Sequence, residues 1–220
     1  MNATCCHIDC LPLGIMQTNT YIVHPTEEAV AWVIDPGMGD MAPVLEAVAR
    51  ERLTVERILL THGHGDHIAG VAALARAWPD ATITAPAADA HMLCDAQANL
   101  SAPFGMALTA PPADELIEPG RTLSLGATTW EVLDTSGHSP GGRSLHCPDA
   151  SVVFTGDALF SGSIGRTDFP GSDSRRLIDN IRRHLLTLPA DTAVYSGHGP
   201  ATTIRIEQKS NPYLSDAISG

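Results

Sequence analysis

Apolar residues recur at strand or helix spacing along most of the chain, and the pattern divides into two strand-rich halves. In the first half, residues 20–34 form two apolar runs around a polar turn, which predicts a hairpin. Asp35-Pro36-Gly37 then interrupts the pattern. Strands and helices alternate after it: a helix over 41–52, a strand over 55–60, a helix over 68–78, a strand over 82–85 and a helix over 87–95.

The second half combines strands and helices again. Because both halves do so, an α/β (α+β) architecture of two sheets with outer helices fits better than one parallel sheet. No repeat or long linker divides the chain, so we expect a single domain over residues 1–220. The predicted elements are strands at 122–125, 128–133, 143–147 and 151–155, a helix at 174–188, a strand at 193–196 and a helix near 202–209.

Residues 97–113 join the two halves and contain three prolines with little periodicity. Loops of this length without regular structure are uncommon unless they cover a site or move. We therefore expect this segment to be a candidate lid over a functional site.

The formal net charge is −12, and Lys209 is the single lysine among scattered arginines. Without a basic patch, a nucleic-acid partner is not expected. No apolar run approaches the ~18 residues that span a bilayer. Residues 1–20 also lack a secretory signal pattern. We therefore expect a cytoplasmic protein with no membrane partner.

The cysteines are odd in number and form no CxxC pair, which is typical of reduced thiols in the cytosol. Three of them fall in the run CCHIDC over residues 5–10. This run could be a metal knot, but zinc-binding spacings normally repeat and this one does not. The favoured interpretation is a first strand with buried cysteines. The five are Cys5, Cys6, Cys10, Cys94 and Cys147.

The most informative segment is THGHGDH, residues 61–67, which lies between an apolar strand and an apolar helix. Open α/β sheets place ligands at such carboxyl ends of strands. Gly63 and Gly65 are expected to let the backbone turn sharply, so that neighbouring side chains converge. Imidazoles and a carboxylate are the ligands that zinc, iron and manganese accept.

Three further strand ends each deliver a potential ligand beside a glycine. His138 follows the strand of residues 129–133, Asp157 comes at the end of the apolar strand predicted over 151–155, and His198 follows the strand predicted over 193–196. Four such placements in one chain predict a metal site. The candidate ligands are His62, His64, Asp66, His67, His138, Asp157 and His198, whereas His7, His24, His91, His146 and His184 lie outside the group.

This HxHxDH motif, with the isolated histidines and aspartate that follow, resembles the metallo-β-lactamase-fold hydrolases over residues 15–200. The resemblance implies an αβ/βα sandwich of two mixed sheets with helices on the outer faces. It also implies that two divalent metal ions are bound, zinc or iron with manganese as a further option. The first would be held by His62, His64 and His138, the second by Asp66, His67 and His198, with Asp157 bridging both.

Two metal ions can share a water and lower its pKa toward neutrality. The resulting metal-bound hydroxide would attack a carbonyl, so no serine or cysteine nucleophile is needed. Asp66 is the expected catalytic residue, because it can orient this nucleophile as well as bind metal.

The segment GDALFSGSIGRTDF, residues 156–169, resembles the corresponding segment of glyoxalase II-like thioesterases, also called hydroxyacylglutathione hydrolases. A short form of that group, without the C-terminal helical domain, also resembles this chain at residues 209–213. The resemblance implies hydrolysis of S-lactoylglutathione or a similar glutathione thioester. Because full-length glyoxalase II grips glutathione with the helical domain, the glutathione contacts would have to come from elsewhere.

Arg166 lies in the Gly-rich loop that follows Asp157, and two interpretations remain open. It could bind a carboxylate of the substrate, since arginine forms bidentate pairs. It could instead pair with Asp168 and shape the loop.

Other functions of the same fold remain open. A persulfide dioxygenase would resemble the same GRTDF segment and use one iron, held by His62, His138 and Asp157. A hydrolase of this fold could also act on a different substrate, although the segment after Asp157 favours thioesters over lactams. A catalytically silent binding protein is disfavoured, because all the ligand positions are filled.

Overall fold

Twelve of the strands form two six-stranded mixed sheets. The computed structural model describes residues 5–214, so residues 1–4 and 215–220 of the expected single domain lie outside the described part. The first sheet consists of β1 (Cys6–Leu13), β2 (Thr18–Pro25), β3 (Val30–Ile34), β4 (Thr54–Leu59), β5 (Thr82–Pro86) and β6 (Glu115–Ile117). Its strands lie in chain order; β1 to β3 pair antiparallel and β3 to β6 pair parallel.

The second sheet is built from the later strands in the order β14-β13-β10-β9-β8-β7. These are β7 (Thr122–Leu125), β8 (Thr128–Asp134), β9 (Arg143–Cys147), β10 (Val152–Gly156), β13 (Ala193–Ser196) and β14 (Thr202–Thr203). Of its pairs, β10–β13 is parallel and the others are antiparallel. A small ribbon, β11 (Leu159–Phe160) with β12 (Ser163–Ile164), follows β10.

The helices are short and lie outside the sheets. They are α1 (Ala42–Arg50), α2 (Gly65–Ile68), α3 (Val71–Ala77), α4 (Ser174–Asn180) and α5 (Ile204–Ser210). Two 3-10 helices span Ala87–Cys94 and Ala102–Phe104, and a π-helical turn, Ile181–Leu185, extends α4.

Three apolar clusters fix the order of the layers. In the first, Val44 of α1 and Leu74 of α3 pack with residues of the first sheet such as Ile58. The middle cluster joins the two sheets and includes Trp32 from β3 and Trp130 from β8, whose ring centroids are 5.7 Å apart. The third packs α4 and α5 onto the outer face of the second sheet through Leu177, Ile204 and Val194. The αβ/βα sandwich predicted from the sequence is therefore confirmed.

Several predicted elements differ in detail from those observed. The helix predicted over 68–78 is two pieces, because the chain bends at Gly70, which packs against Met41. The helix predicted over 174–188 ends at Leu185, since Pro189 disfavours helical backbone just before it. The segment at 87–95 is a 3-10 helix rather than an α-helix.

The strand directions bring five strand ends to one edge of the sandwich. In the first sheet, β3 and β4 are parallel. In the second, β8, β10 and β13 all run the same way. The two edges meet where the backbone N–H of Arg143 donates to the carbonyl oxygen of Thr61, 2.9 Å away. Within the described chain, no helix is both long and apolar enough to cross a bilayer.

Candidate metal centre

The loop between β4 and α2 carries the densest group of candidate ligands. His62, His64 and His67 are all buried there, and His67 is completely inaccessible. The ring centroids of His62 and His67 lie 4.1 Å apart, and those of His62 and His64 lie 4.7 Å apart. The first turn of α2 contains Asp66. A single short loop therefore presents three imidazoles and a carboxylate at one point.

The two glycines in this loop serve close packing. Neither has a positive φ angle, unlike ten other glycines of the described chain. A Cβ on Gly63 would lie 2.8 Å from the Cβ of Met92. One on Gly65 would lie 2.9 Å from the Cβ of Ser101. These glycines therefore do not supply a left-handed backbone conformation, and the structure adds a requirement for space against the neighbouring segments.

The second sheet delivers the other three candidates. His138 lies in the loop after β8, Asp157 follows β10 directly, and His198 follows β13. The ligand atoms of two groups lie within 4.8 Å of one another: His62, His64 and His138 form one, and Asp66, His67 and His198 form the other. These groups have the same members as the two ligand sets implied by the resemblance.

Asp157 lies between the two groups. Its Oδ1 is 3.3 Å from Nε2 of His67, and its Oδ2 is 3.6 Å from Nε2 of both His138 and His198. The carboxylate of Asp157 therefore lies near members of both groups, a position from which it could bridge two cations.

Buried polar atoms at this point test whether the residues fit a metal. Within the described chain, Nε2 of His62, Nε2 of His67 and Oδ1 of Asp157 are buried without a hydrogen-bond partner. Buried polar atoms normally have partners, and such exceptions need an explanation. Five imidazoles and two carboxylates, without a thiolate, suit zinc, iron or manganese. The residues therefore fit divalent metal ions.

Hydrogen bonds to the remote ring nitrogens fix the orientation of three imidazoles. Nδ1–H of His138 donates to the carbonyl oxygen of Arg166 over 2.8 Å, and Nδ1–H of His198 donates to that of Met16 over 3.1 Å. Nδ1 of His67 is 3.0 Å from Oδ2 of Asp35. With the proton held on Nδ1, Nε2 of each ring keeps its lone pair for a cation.

Asp35 is a buried positioning residue that sequence reasoning treated only as part of a chain break. It has a φ angle of 49°, a left-handed conformation that aspartate tolerates better than most residues. Besides His67, its carboxylate accepts hydrogen bonds from the backbone N–H and the hydroxyl of Thr61, at 2.8 and 2.6 Å. Its place at the end of an apolar strand, like that of Asp157, was the signal that could have revealed it.

Asp89 is a second positioning residue, and no sequence motif marks it. It lies in the 3-10 helix after β5 and is completely buried. Oδ2 accepts from the backbone N–H of Gly63, 3.1 Å away, and from the hydroxyl of Ser139, 2.7 Å away. Oδ1 accepts from the backbone N–H of Gly141 over 2.6 Å. Asp89 thus ties the loop that carries His62 and His64 to the loop that carries His138.

The electrostatics of the two groups differ. Burial, with the neighbouring imidazoles, lowers the pKa of His62, and it lowers the pKa of His64 to about 3. Both are therefore neutral, as metal ligands must be. Burial opposes the charge of His67 and His198 too, but neighbouring carboxylates outweigh it and raise the pKa of both. Binding of a cation by this second group would therefore release protons.

A cavity of about 590 Å³ opens above the two groups. Its walls are largely apolar, and Arg166 is the single arginine or lysine among the described residues that line it. The lid candidate, 97–113, supplies one wall, and the carbonyl oxygen of its Asn99 accepts from the backbone N–H of Gly65 at 2.8 Å. The apolar lining residues are Met16, Met38, Leu100, Phe104, Met106, Leu108, Phe160, Ile164 and Phe169.

Arg166 makes the internal pair that was one of its two interpretations. Its Nε and an Nη donate to the two carboxylate oxygens of Asp168, each over 2.7 Å, and its guanidinium stacks 4.2 Å from the ring centroid of Phe169. Asp168, in turn, has its pKa lowered to about 2 by this pair. The side chain still lines the cavity.

A family model described as the metallo-beta-lactamase superfamily matches residues 13–198. The chain belongs to the metallo-beta-lactamase superfamily. Among its relatives, the probable metallo-hydrolase YqgX of Bacillus subtilis is 39% identical over 93% of this chain and 96% of YqgX. The hydroxyacylglutathione hydrolase GloC of Haemophilus influenzae is 34% identical over 95% of this chain and 98% of GloC.

Solved structures of this superfamily agree with the fold. BLEG-1, a B3 metallo-beta-lactamase, superposes with a TM-score of 0.90 and 39% identity, over 95% of this chain and 100% of BLEG-1. TTHA1623 in a di-iron-bound form superposes with a TM-score of 0.82 and 36% identity, over 94% of this chain and 100% of TTHA1623. ETHE1 from Myxococcus xanthus superposes with a TM-score of 0.78 and 30% identity, over 94% of this chain and 83% of ETHE1. These similarities confirm the family resemblance predicted from the HxHxDH motif.

Proposed function

We propose that this metallo-hydrolase-fold protein binds two divalent metal ions and hydrolyses glutathione thioesters of the S-lactoylglutathione type. The observation that carries the proposal is the pair of three-residue groups on either side of Asp157. A solved relative at 36% identity is in a di-iron-bound form. GloC, whose name states a hydroxyacylglutathione hydrolase, matches this chain over nearly its whole length.

Bound divalent cations would supply a water of lowered pKa and a Lewis acid for the thioester carbonyl oxygen. His62, His64 and His138 would hold the first, and Asp66, His67 and His198 the second, with Asp157 shared. The hydrogen bonds on the far side of the rings keep the imidazoles aimed at one point. Attack of the water on the carbonyl carbon breaks the C–S bond and yields a carboxylic acid and a thiol.

Asp66 is the proposed catalytic residue. Its Oδ2 lies 3.2 Å from Nε2 of His198 and 3.3 Å from the hydroxyl of Thr18, which fixes the carboxylate at the floor of the cavity. Burial would raise its pKa, but His67 and His198 hold the pKa well below its usual range. Asp66 is therefore an ionised acceptor that can orient the attacking water as well as bind a cation.

The cavity supports a substrate with an apolar or weakly polar acyl group next to an anionic thiol portion. The apolar walls would bury the acyl group. Arg166 would meet a glutathione carboxylate at the rim, because its guanidinium is exposed and only one face is covered by Phe169. Arg166 would exchange its intramolecular partner Asp168 for the substrate carboxylate.

Turnover of a substrate panel by metal-quantified protein tests this function. Glutathione and coenzyme A thioesters are supplied, and the released thiol is measured. Two parallel assays measure the ring opening of a chromogenic β-lactam and the oxygen uptake with glutathione persulfide. We expect thiol release from glutathione thioesters with two metal ions per chain. Full metal occupancy without thioester turnover would contradict the proposal. One iron per chain with rapid oxygen uptake would favour a persulfide dioxygenase, and β-lactam turnover alone would favour an activity like that of BLEG-1.

A further inference from the structure

A second group of potential metal ligands lies far from the histidine centre. The sulfur atoms of Cys5, Cys6 and Cys147 all lie within 4.8 Å of one another. Cys6 begins β1 of the first sheet, and Cys147 ends β9 of the second. The metal knot considered within the run 5–10 is not the group that forms, because Cys10 is exposed and outside the cluster, whereas Cys147 comes from the opposite sheet.

The position of this group is the end of the sandwich opposite the histidine centre. At one end of the β1–β2 pair, Leu13 pairs with Thr18, and the hydroxyl of Thr18 contacts Asp66 of the histidine centre. At the other end, Cys6 pairs with Pro25. The eight residues of β1 correspond to roughly 23 Å between the two ends. Neither the proposed hydrolysis nor its metal ions therefore depend on these cysteines.

We propose that Cys5, Cys6 and Cys147 form a binding site for a thiophilic metal ion of the zinc class. Sulfur separations carry the argument. Zn–S bonds of about 2.3 Å place tetrahedral sulfur ligands ~3.8 Å apart, and the Cys5 and Cys6 sulfurs are 4.0 Å apart. Thiolates select zinc and copper(I) over the harder divalent cations.

The backbone around the group explains how neighbouring cysteines can face one ion. Successive side chains of a strand point to opposite faces, but Cys5 lies in a bend just before β1, so its sulfur can approach that of Cys6. A backbone hydrogen bond of 3.0 Å from Thr26 N–H to the carbonyl oxygen of Cys5 holds this bend. Adjacent cysteines can therefore act as two ligands of one ion.

The three cysteines differ in their access to solvent. Cys6 and Cys147 are buried in the cluster between the sheets, and Cys5 is half-buried at its edge. An ion can therefore enter past Cys5, with the thiol protons lost to solvent. Once bound, it would tie the first sheet to the second at this end, where the backbone N–H of Ala127 also donates to a carboxylate oxygen of Glu28.

Cobalt(II) is a direct probe, because thiolate-to-cobalt charge transfer absorbs in the near ultraviolet and a centre of imidazoles and carboxylates gives no such band. The full chain is produced in zinc-depleted medium with cobalt and kept reduced. We expect the band at one thiolate-bound cobalt per chain, whether or not the histidine centre is filled. Failure of the proposed hydrolysis would leave this result unchanged.

Single substitutions assign the band to the cluster. Cys147→Ser should abolish the band. Cys5→Ser, at a half-buried position that tolerates the change, should weaken cobalt affinity by ~100-fold or more, because the loss of an outer-shell partner alone can cost that much and Cys5 is a direct ligand. Cys10→Ser, at an exposed cysteine of β1, is the matched control and should leave the band unchanged. The proposal is overturned if the band is missing, if Cys5→Ser leaves it intact, or if two of these thiols are found joined as a disulfide.

Discussion

The floor and the walls of the cavity are built in different ways. The floor consists of buried side chains, and Asp35 and Asp89 connect its loops through hydrogen bonds of 2.6 to 3.1 Å. The walls are apolar and partly open, and Phe104, at their rim, is 64% exposed. The charged rim residue Arg166 is held by one neighbour in sequence and one aromatic ring.

This difference separates the reaction from the substrate. A cross-connected floor keeps the candidate metal ligands in one arrangement, which is what chemistry at a metal would require. The walls present mostly apolar side chains to the cavity and so offer a substrate few polar contacts, which lets related chains with the same floor accept different substrates. GloC and BLEG-1, at 34% and 39% identity to this chain, are named for different activities, hydroxyacylglutathione hydrolase and beta-lactamase. The predictions below test this division from the floor outward.

Removing the shared carboxylate should have the largest effect. Asp157→Asn keeps the shape of the side chain but loses the charge that faces both groups of ligands. We expect fewer metal ions per chain and a fall in kcat/KM of about 1,000-fold or more, roughly 4 kcal/mol in transition-state stabilisation. Metal analysis and thiol-release kinetics measure both quantities. Asp191→Asn, at an exposed carboxylate paired with Arg205, is the control and should match the wild type.

Loosening the floor without touching a ligand should have the next largest effect. Asp89→Asn places an amide group where the carboxylate accepts three hydrogen bonds, so at least one buried N–H or O–H loses its acceptor. We expect a loss of about 1–3 kcal/mol in the free energy of unfolding and a ~10–100-fold loss of metal affinity. Denaturation and chelator competition measure these. Unchanged metal affinity would mean that Asp89 supports the fold alone.

A change at the charged rim should alter substrate binding and leave the floor intact. We expect Arg166→Ala to raise KM for glutathione thioesters about tenfold, with little change in kcat or metal content. A thioester without carboxylates in its thiol portion should not respond, which makes it the matched substrate control. If stability falls while KM stays normal, Arg166 and Asp168 shape the loop and do not bind substrate.

The smallest effect is expected at the apolar wall. Phe104→Ser removes an exposed ring from the cavity rim, so KM for a thioester with a large apolar acyl group should rise about threefold. The KM for a lactoyl thioester should change less, and metal content should not change. Steady-state kinetics with the two acyl groups make the comparison. An equal response of both substrates would indicate that the ring does not contact the acyl group.

The sequence predicted the floor better than its supports or the walls. Candidate ligands such as His62 and Asp157 were visible because each follows an apolar run and stands beside glycine. Asp89 was invisible, since its partners Ser139 and Gly141 are about fifty positions away in the chain and its own segment is a short 3-10 helix. The role of Cys147 beside Cys5 was equally hidden, because it depends on contact between two sheets.

The same reason explains the errors in the fold. Long apolar runs such as those of β2, β4 and β10 were predicted, and so was the two-sheet sandwich. The strands β6, β11, β12 and β14 were missed, because two or three residues carry no periodicity and their pairing is decided by tertiary contacts. The close packing at Gly63 and Gly65 was not predicted, because the segments that leave no room for a side chain there come from elsewhere in the chain.

Native mass spectrometry of freshly purified protein, compared with Asp157→Asn, tests the central claim of a shared two-metal centre most directly. We expect that the Cys147→Ser variant, which lacks the proposed cysteine site, carries two metal ions per chain. We also expect that Asp157→Asn, in the same background, loses occupancy of both positions. A single metal ion in the reference protein, or full retention of both ions after the loss of Asp157, would contradict the claim.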